Sequence, residues 1–131
     1  MAQPIGNKEL TVRTLKKRKD FLRVAKQDKK WISPAMIIQL STMPDAIEQT
    51  DIRVGYTASK KVGNAVLRNK AKRRLREVVK QVMKAEGRKN HDYVIIAREP
   101  AVRYPFNEMI RDMKWCLKRL HNRNDNKKGA I

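Results

Sequence analysis

The stretch SKKVGNAVLRNKAKRRLREVVKQVMKAEGRK, residues 59–89, decides how the rest of the chain is read. From Lys60 to Lys89 it holds twelve Lys or Arg against only Glu77 and Glu86, yet it keeps a helical apolar period. Advancing roughly 100° per residue, Leu67, Ala71, Leu75, Val78, Val79, Val82 and Met83 fall mostly in one stripe. Asn69, Lys72, Arg73, Arg76 and Lys80 gather on the opposite side. The spacing therefore predicts a helix with one dry face and one cationic face, a structured surface for a polyanion rather than a basic tail. Asn64, after Gly63, is placed to cap its free amides, and Gly87 to stop it. A solvated helix face intersperses opposite signs for i, i+4 pairing, which twelve cations against two anions do not. A rigid helix also holds cations at fixed spacing, so the ordering cost falls on folding, and each phosphate contact releases counterions. Arg68, Arg73, Arg74 and Arg76 add planar forks suited to phosphate oxygens or to stacking on bases.

The whole chain carries the same bias. Its 131 residues, one domain by length, hold 32 Lys and Arg against 13 Asp and Glu, a formal charge of +19. A compact state so charged repels itself, which makes nucleic acid or an anionic membrane its expected companion. The single Cys116 excludes an intrachain disulfide, and no run approaches the roughly 20 apolar residues of a membrane span. Near the N-terminus Lys8, Arg13 and Lys16 have no apolar signal-peptide stretch beside them. The expected compartment is reducing and cytoplasmic.

Outward from the basic helix, Ile52, Val54, Tyr56 and Ala58 alternate with Arg53, Gly55 and Thr57, the pattern of a strand with one covered face. Trp31 to Leu40 is an uncharged run rich in β formers, and Tyr93 to Ala97 is a compact apolar strand. A short helix is expected at about Lys17 to Gln27, where Phe21, Val24 and Ala25 are spaced i, i+3, i+4. A final amphipathic helix is marked by Phe106, Met109, Ile110, Met113, Leu117 and Leu120. No Lys or Arg occurs between Lys30 and Arg53, so the loop from Ser41 to Asp51 leaves one edge neutral or acidic. Residues 1–14 read as a flexible lead-in, 15–121 as one α+β domain, and 122–131 as a polar tail. The expected architecture is a small mixed sheet of about four strands packed with three helices.

Candidates for independent chemistry are few. His91 and His121 both read as surface residues, the carboxylates are scattered, and Cys116 reads as a packing thiol near the edge of the last apolar stripe. No phosphate-binding glycine loop or zinc spacing appears, so no catalytic residue, bound metal or small-molecule substrate is expected. Trp115 lies off the apolar stripe of its helix and is expected to shield another part of the chain, such as the lead-in or Trp31, with an RNA or partner contact as the alternative.

The string Lys60-Lys61-Val62-Gly63-Asn64-Ala65-Val66-Leu67-Arg68-Asn69-Lys70, followed by Lys72-Arg73-Arg74-Leu75-Arg76, closely resembles the signature of the bacterial ribonuclease P protein component. The likeness extends, in family order, to Asp20-Phe21, Arg53-Val54-Gly55 and Tyr93-Val94-Ile95-Ile96-Ala97-Arg98, spanning about residues 14–120. The resemblance implies a ribosomal-protein-like two-layer sandwich whose crossover through the basic helix is left-handed, against the usual rule. It implies binding to a large catalytic RNA and help in removing the 5′ leader from precursor tRNA. On that analogy Arg68, Asn69, Lys70, Lys72, Arg73 and Arg76 contact the RNA, with Lys60, Lys61 and Asn64 nearby. The chemistry then belongs to Mg²⁺ ions held by the RNA, with no cofactor bound by the protein alone. The resemblance also implies a leader cleft between the first helix and the sheet, to which Phe21, Met36 and Tyr56 are assigned. Ala25 and Gln39 stand there where relatives can carry aromatic residues, so stacking is depleted.

Two other classes fit parts of the sequence. A structural RNA-binding protein of ribosomal type shares the size and charge but has no reason to keep this signature with a leader cleft. A membrane-surface module needs bulky apolar anchors, whereas this helix has a Val-rich stripe needed to cover a sheet. No membrane partner is expected.

Overall fold

Alternation along Asp51–Ala58 (β4) separates the two faces of the sheet. Ile52, Val54, Tyr56 and Ala58 turn to one face, while Gly55 on the other meets the ring of Phe21. His91–Ala97 (β5) repeats the split, with Tyr93, Ile95 and Ala97 on the first face and Val94 and Ile96 on the second. The computed structural model describes residues 11–44 and 51–126, with residues 123–126 described by their backbone. It adds Thr11–Thr14 (β1), Lys30–Ile32 (β2) and Met36–Thr42 (β3) to make one mixed sheet in the order β1-β4-β5-β3-β2. β1, β4 and β5 run parallel, whereas β3 is antiparallel to both β5 and β2.

Parallel neighbours cannot be joined by a tight turn, and β4 reaches β5 through the helix Ala65–Glu86 (α2). Ala71, Leu75, Val78, Val79, Val82 and Met83 form its buried side, as the period predicts, whereas Leu67, expected in the same stripe, is exposed in the first turn beside Gly63. Phe106–Asn126 (α3) packs beside it, burying Met109, Met113, Cys116, Leu117 and Leu120 in the same core. Each fully buried Leu, Val or Met contributes roughly 1.5–3 kcal/mol, so these helices hold a large share of the apolar stabilisation, beside the buried strand residues they cover. Arg18–Lys26 (α1) covers part of the opposite face, where Val24 packs with Leu15, Val94, Phe21 and Ile96.

Several boundaries differ from expectation. Thr11–Thr14, expected within a flexible lead-in, is the fifth strand, paired with Asp51–Val54. The polar tail expected from Asn122 begins as helix, since α3 continues through Asn126. Gly87 does end α2, but its φ of −80° is not left-handed. A Cβ there would meet the Met83 sulfur at 2.7 Å and Ile52 Cδ1 at 2.8 Å, so close packing of the helix end on β4 calls for glycine. Residues 1–10, most of the acidic loop (45–50) and residues 127–131 lie outside the described residues.

Candidate nucleic-acid interface

The cationic face begins where β4 hands over to α2. Ser59 Oγ accepts the Lys61 amide at 3.2 Å, holding a 3-10 turn over Lys60–Val62. Gly63 follows at φ 132°, a conformation that L side chains rarely adopt, and Asn64 Oδ1 then accepts the Leu67 amide at 3.0 Å as the expected cap. Two local devices thus set the helix start, and with it the direction in which each cation projects. Lys60, Lys61, Asn64, Asn69, Lys70, Arg73 and Arg76 are exposed, while Arg68 and Lys72 are half-buried along the flank. All nine predicted RNA-binding residues therefore share one contiguous turn and helix. Lys80 meets Glu77 at 3.1 Å, but Arg68, Lys70, Lys72, Arg73 and Arg76 have no carboxylate within ion-pair distance among the described residues.

Arg74 departs from its expected use. Its two terminal nitrogens donate to the carbonyls of Ala101 and Tyr104, each at 2.8 Å, which ties the loop before α3 to α2. This guanidinium is committed inside the fold and leaves the phosphate-facing set. Arg76 lies over the Tyr56 ring, 5.1 Å from its centroid. Burial pushes the Tyr56 hydroxyl up to about 12, with Arg76 pulling the other way, so it is a neutral phenol under the guanidinium.

The predicted leader cleft is rearranged. Phe21 lies on the α1 side, half-buried against Gly55, where a Cβ would meet its Cζ at 2.5 Å. Met36 is fully buried in the core beneath α2 and α3, and Tyr56 belongs to that same face. Neither shares a surface with Phe21, because strand residues of opposite parity face opposite ways. The α1 side instead presents half-buried Ile37, Gln39, Ile96 and Thr57 beside the short helix.

Beneath that face lies an ionic cluster that sequence reasoning did not find. Asp92 is fully buried and takes a two-pronged contact from Arg53, with Nε to Oδ1 and Nη2 to Oδ2 both at 2.8 Å. Arg23 donates to the same carboxylate, to Ser41 Oγ at 3.1 Å, to the Thr42 carbonyl at 3.0 Å and to Asp20 at 3.2 Å. Hydrogen bonding to Asp92 raises the Arg53 pKa further, against the opposing effect of burial. The available signal was Asp20 and Arg23 one turn apart, with Arg53 and Asp92 in adjacent strands.

His121, expected on the surface, is buried. The Tyr93 hydroxyl accepts the Arg88 amide at 2.9 Å and meets His121 Nε2 at 2.8 Å, linking β5 to α3. Burial pushes the Tyr93 hydroxyl up to about 12 and the Cys116 thiol up to about 11, so Cys116 is the packing thiol expected. Among the described residues no three His, Cys, Asp or Glu side chains converge as a metal site, and no helix is long and apolar enough to cross a membrane.

A five-stranded α+β scaffold that fixes a start-capped helix with a largely unpaired cationic face on its surface defines a small protein of the polyanion-binding class. Residues 11–121 match the family Ribonuclease P. The ribonuclease P protein component of Paramagnetospirillum magneticum is 47% identical over 107 residues, covering 81% of this chain and 80% of the relative. That of Ruegeria pomeroyi is 43% identical over 111 residues, covering 84% and 87%. The solved RNase P protein of Staphylococcus aureus superposes with a TM-score of 0.64 at 31% identity, covering 80% of this chain and 92% of that one. The Thermotoga maritima RNase P protein gives 0.65 at 27% identity, covering 82% and 96%. This chain belongs to the ribonuclease P protein family.

Proposed function

We propose that this chain acts in tRNA 5′ maturation as the protein subunit of ribonuclease P, docking the catalytic RNA on α2 and steering the 5′ leader of precursor tRNA along the sheet face beside α1. The observation that carries the reading is the coincidence of family membership with an exposed row of cations that the protein itself does not neutralise. Lys60, Lys61, Lys70, Arg73 and Arg76 meet phosphates, Arg68 and Lys72 support the flank, and Asn64 and Asn69 donate amide hydrogen bonds. Phe21 borders the leader path, with Ile37 and Ile96 as apolar floor in place of Met36 and Tyr56. Hydrolysis is assigned to Mg²⁺ held by the RNA, where metal lowers the pKa of an attacking water. No bond-breaking step is assigned to a side chain of this protein, and its working compartment is the cytoplasm. A purely structural ribosomal role has no comparable support, since the family match spans nearly the whole described domain.

The test is single-turnover cleavage of precursor tRNA by the catalytic RNA at low Mg²⁺, with and without this protein. Faster cleavage and tighter substrate binding on adding protein are expected, with no cleavage by protein alone. Unchanged cleavage, or a polypeptide that cuts unaided, overturns the reading.

A further inference from the structure

Away from α2, at the β2 end of the sheet, two tryptophans share the surface. Trp31 of β2 and Trp115 of α3 meet edge to face with ring centroids 5.6 Å apart, and the Arg119 guanidinium lies 5.8 Å and 5.5 Å from them. The contact matches the expected shielding of Trp31, yet it leaves Trp115 44% exposed and neighbouring Ile32 50% exposed. Asp28, Lys30, Trp31, Ile32 and Trp115 line an open recess of about 460 Å³ there. Large aromatic area left in water marks a contact surface, and the surroundings indicate its chemistry. One turn from Trp115 along α3 stand Arg111, Lys118 and Arg119, against a single Asp112 that is held by Arg111 at 3.6 Å. An exposed indole bordered by Lys30, Arg111, Lys118 and Arg119, with Asp28 and Asp112 as the nearby carboxylates, is an arrangement that can take an unpaired nucleotide, with the base on the ring and the phosphate on the charges. The excess of cations around the rings favours an anionic partner over a neutral one.

We propose that Trp115, backed by Trp31 and Arg119, is a second RNA contact, a stacking platform for an unpaired nucleotide of the RNA that docks on α2. The inference rests on the proposed function for the identity of that RNA. Position favours a single partner: α3 packs directly beside α2, and packed helices lie about 8–10 Å apart, so one RNA spans both. The two contacts differ in kind. α2 supplies charge, whereas the platform supplies a π surface that tolerates any base.

The experiment compares catalytic-RNA affinity of the full chain with Trp115→Ala, Trp115→Phe and Arg73→Ala, each checked for an unchanged melting transition. Trp115→Ala is expected to weaken binding roughly tenfold while leaving the salt dependence unchanged, since no cation is removed; Trp115→Phe recovers most of the loss. Because the chain has two Trp, Trp31→Phe leaves Trp115 as the sole tryptophan, and RNA is expected to quench its selectively excited emission at saturation. That reading decides the matter even if Trp115→Ala does not fold. Wild-type affinity in Trp115→Ala, or unquenched emission, overturns the platform while a weakened Arg73→Ala leaves the α2 reading intact. Doubling of the protein's mass without RNA, lost in Trp115→Ala, assigns the patch to a second copy and likewise overturns it. If Arg73→Ala and Trp115→Ala both bind as wild type, the proposed function itself fails.

Discussion

Two cation-bearing regions of this protein, under α1 and on α2, treat charge in opposite ways. Under α1, Arg23 and Arg53 are matched by Asp20 and Asp92, two guanidinium groups against two carboxylates, with Asp92 fully buried. On α2, Arg73 and Arg76 face water with no carboxylate within ion-pair distance among the described residues. The difference follows from desolvation. A charge taken out of water must find its counterion within the chain, while one left in water can wait for a partner. Substitutions should therefore separate cleanly, those under α1 altering stability and those on α2 altering RNA binding.

The largest effect is expected at Asp92. Replacing it with Ala strands Arg23 and Arg53 near each other without their shared anion, which costs about 3–5 kcal/mol of unfolding free energy. Urea denaturation checks this, and a loss under 1 kcal/mol would break the contrast by showing that the cluster is no more coupled than a surface pair. Gly55→Ala comes next, at about 1–3 kcal/mol, since the new methyl meets Phe21 Cζ at 2.5 Å. Combining it with Phe21→Ala sharpens the test: the pair should be non-additive, because removing the ring clears the clash.

Tyr93→Phe should cost about 1 kcal/mol by leaving His121 and the Arg88 amide without their shared hydroxyl. It also carries a pH signature. The folded Tyr93 pKa, about 12, lies above the unfolded value near 10, so the native state holds its proton more tightly. Its contribution is complete below pH 10 and is lost as pH rises towards 12. Tyr93→Phe should flatten that alkaline decline, measured as melting temperature against pH. A decline as steep as wild type assigns the loss to other groups.

What the sequence made legible follows from the range over which each signal acts. α2 was readable because its period, its Asn64 cap and the charge on its outer face all lie within one continuous segment. β1 was not, since four residues reading TVRT become a strand only by pairing with β4 some forty residues away. The Asp92 cluster joins positions 69 and 39 residues apart, and no local spacing announces such a pair. Met36 differs from expectation for another reason. With Gln39 it was assigned to one cleft, although residues three apart in a strand face opposite sides, so parity alone excludes the pair. His121 looked exposed from its Lys and Arg neighbours, but its own side chain lies on the buried stripe of α3 beside Leu117 and Leu120.

The smallest change in stability, and the sharpest form of the comparison, belongs to Arg73→Ala with Arg76→Ala. Arg73 makes no ion pair among the described residues, and Arg76 loses only its place over Tyr56, so unfolding free energy should move by no more than about 0.5 kcal/mol. At low salt the sign should be stabilising where repulsion within a +19 chain outweighs that contact. RNA affinity behaves differently. If both side chains reach phosphates, the slope of log affinity against log salt falls by roughly two units. Sulfate, expected to bind where the folded helix gathers cations, should raise the melting temperature of wild type more than that of the double variant. A normal salt slope with a lowered melting temperature would invert the contrast, placing these arginines among the cations that the fold neutralises for itself.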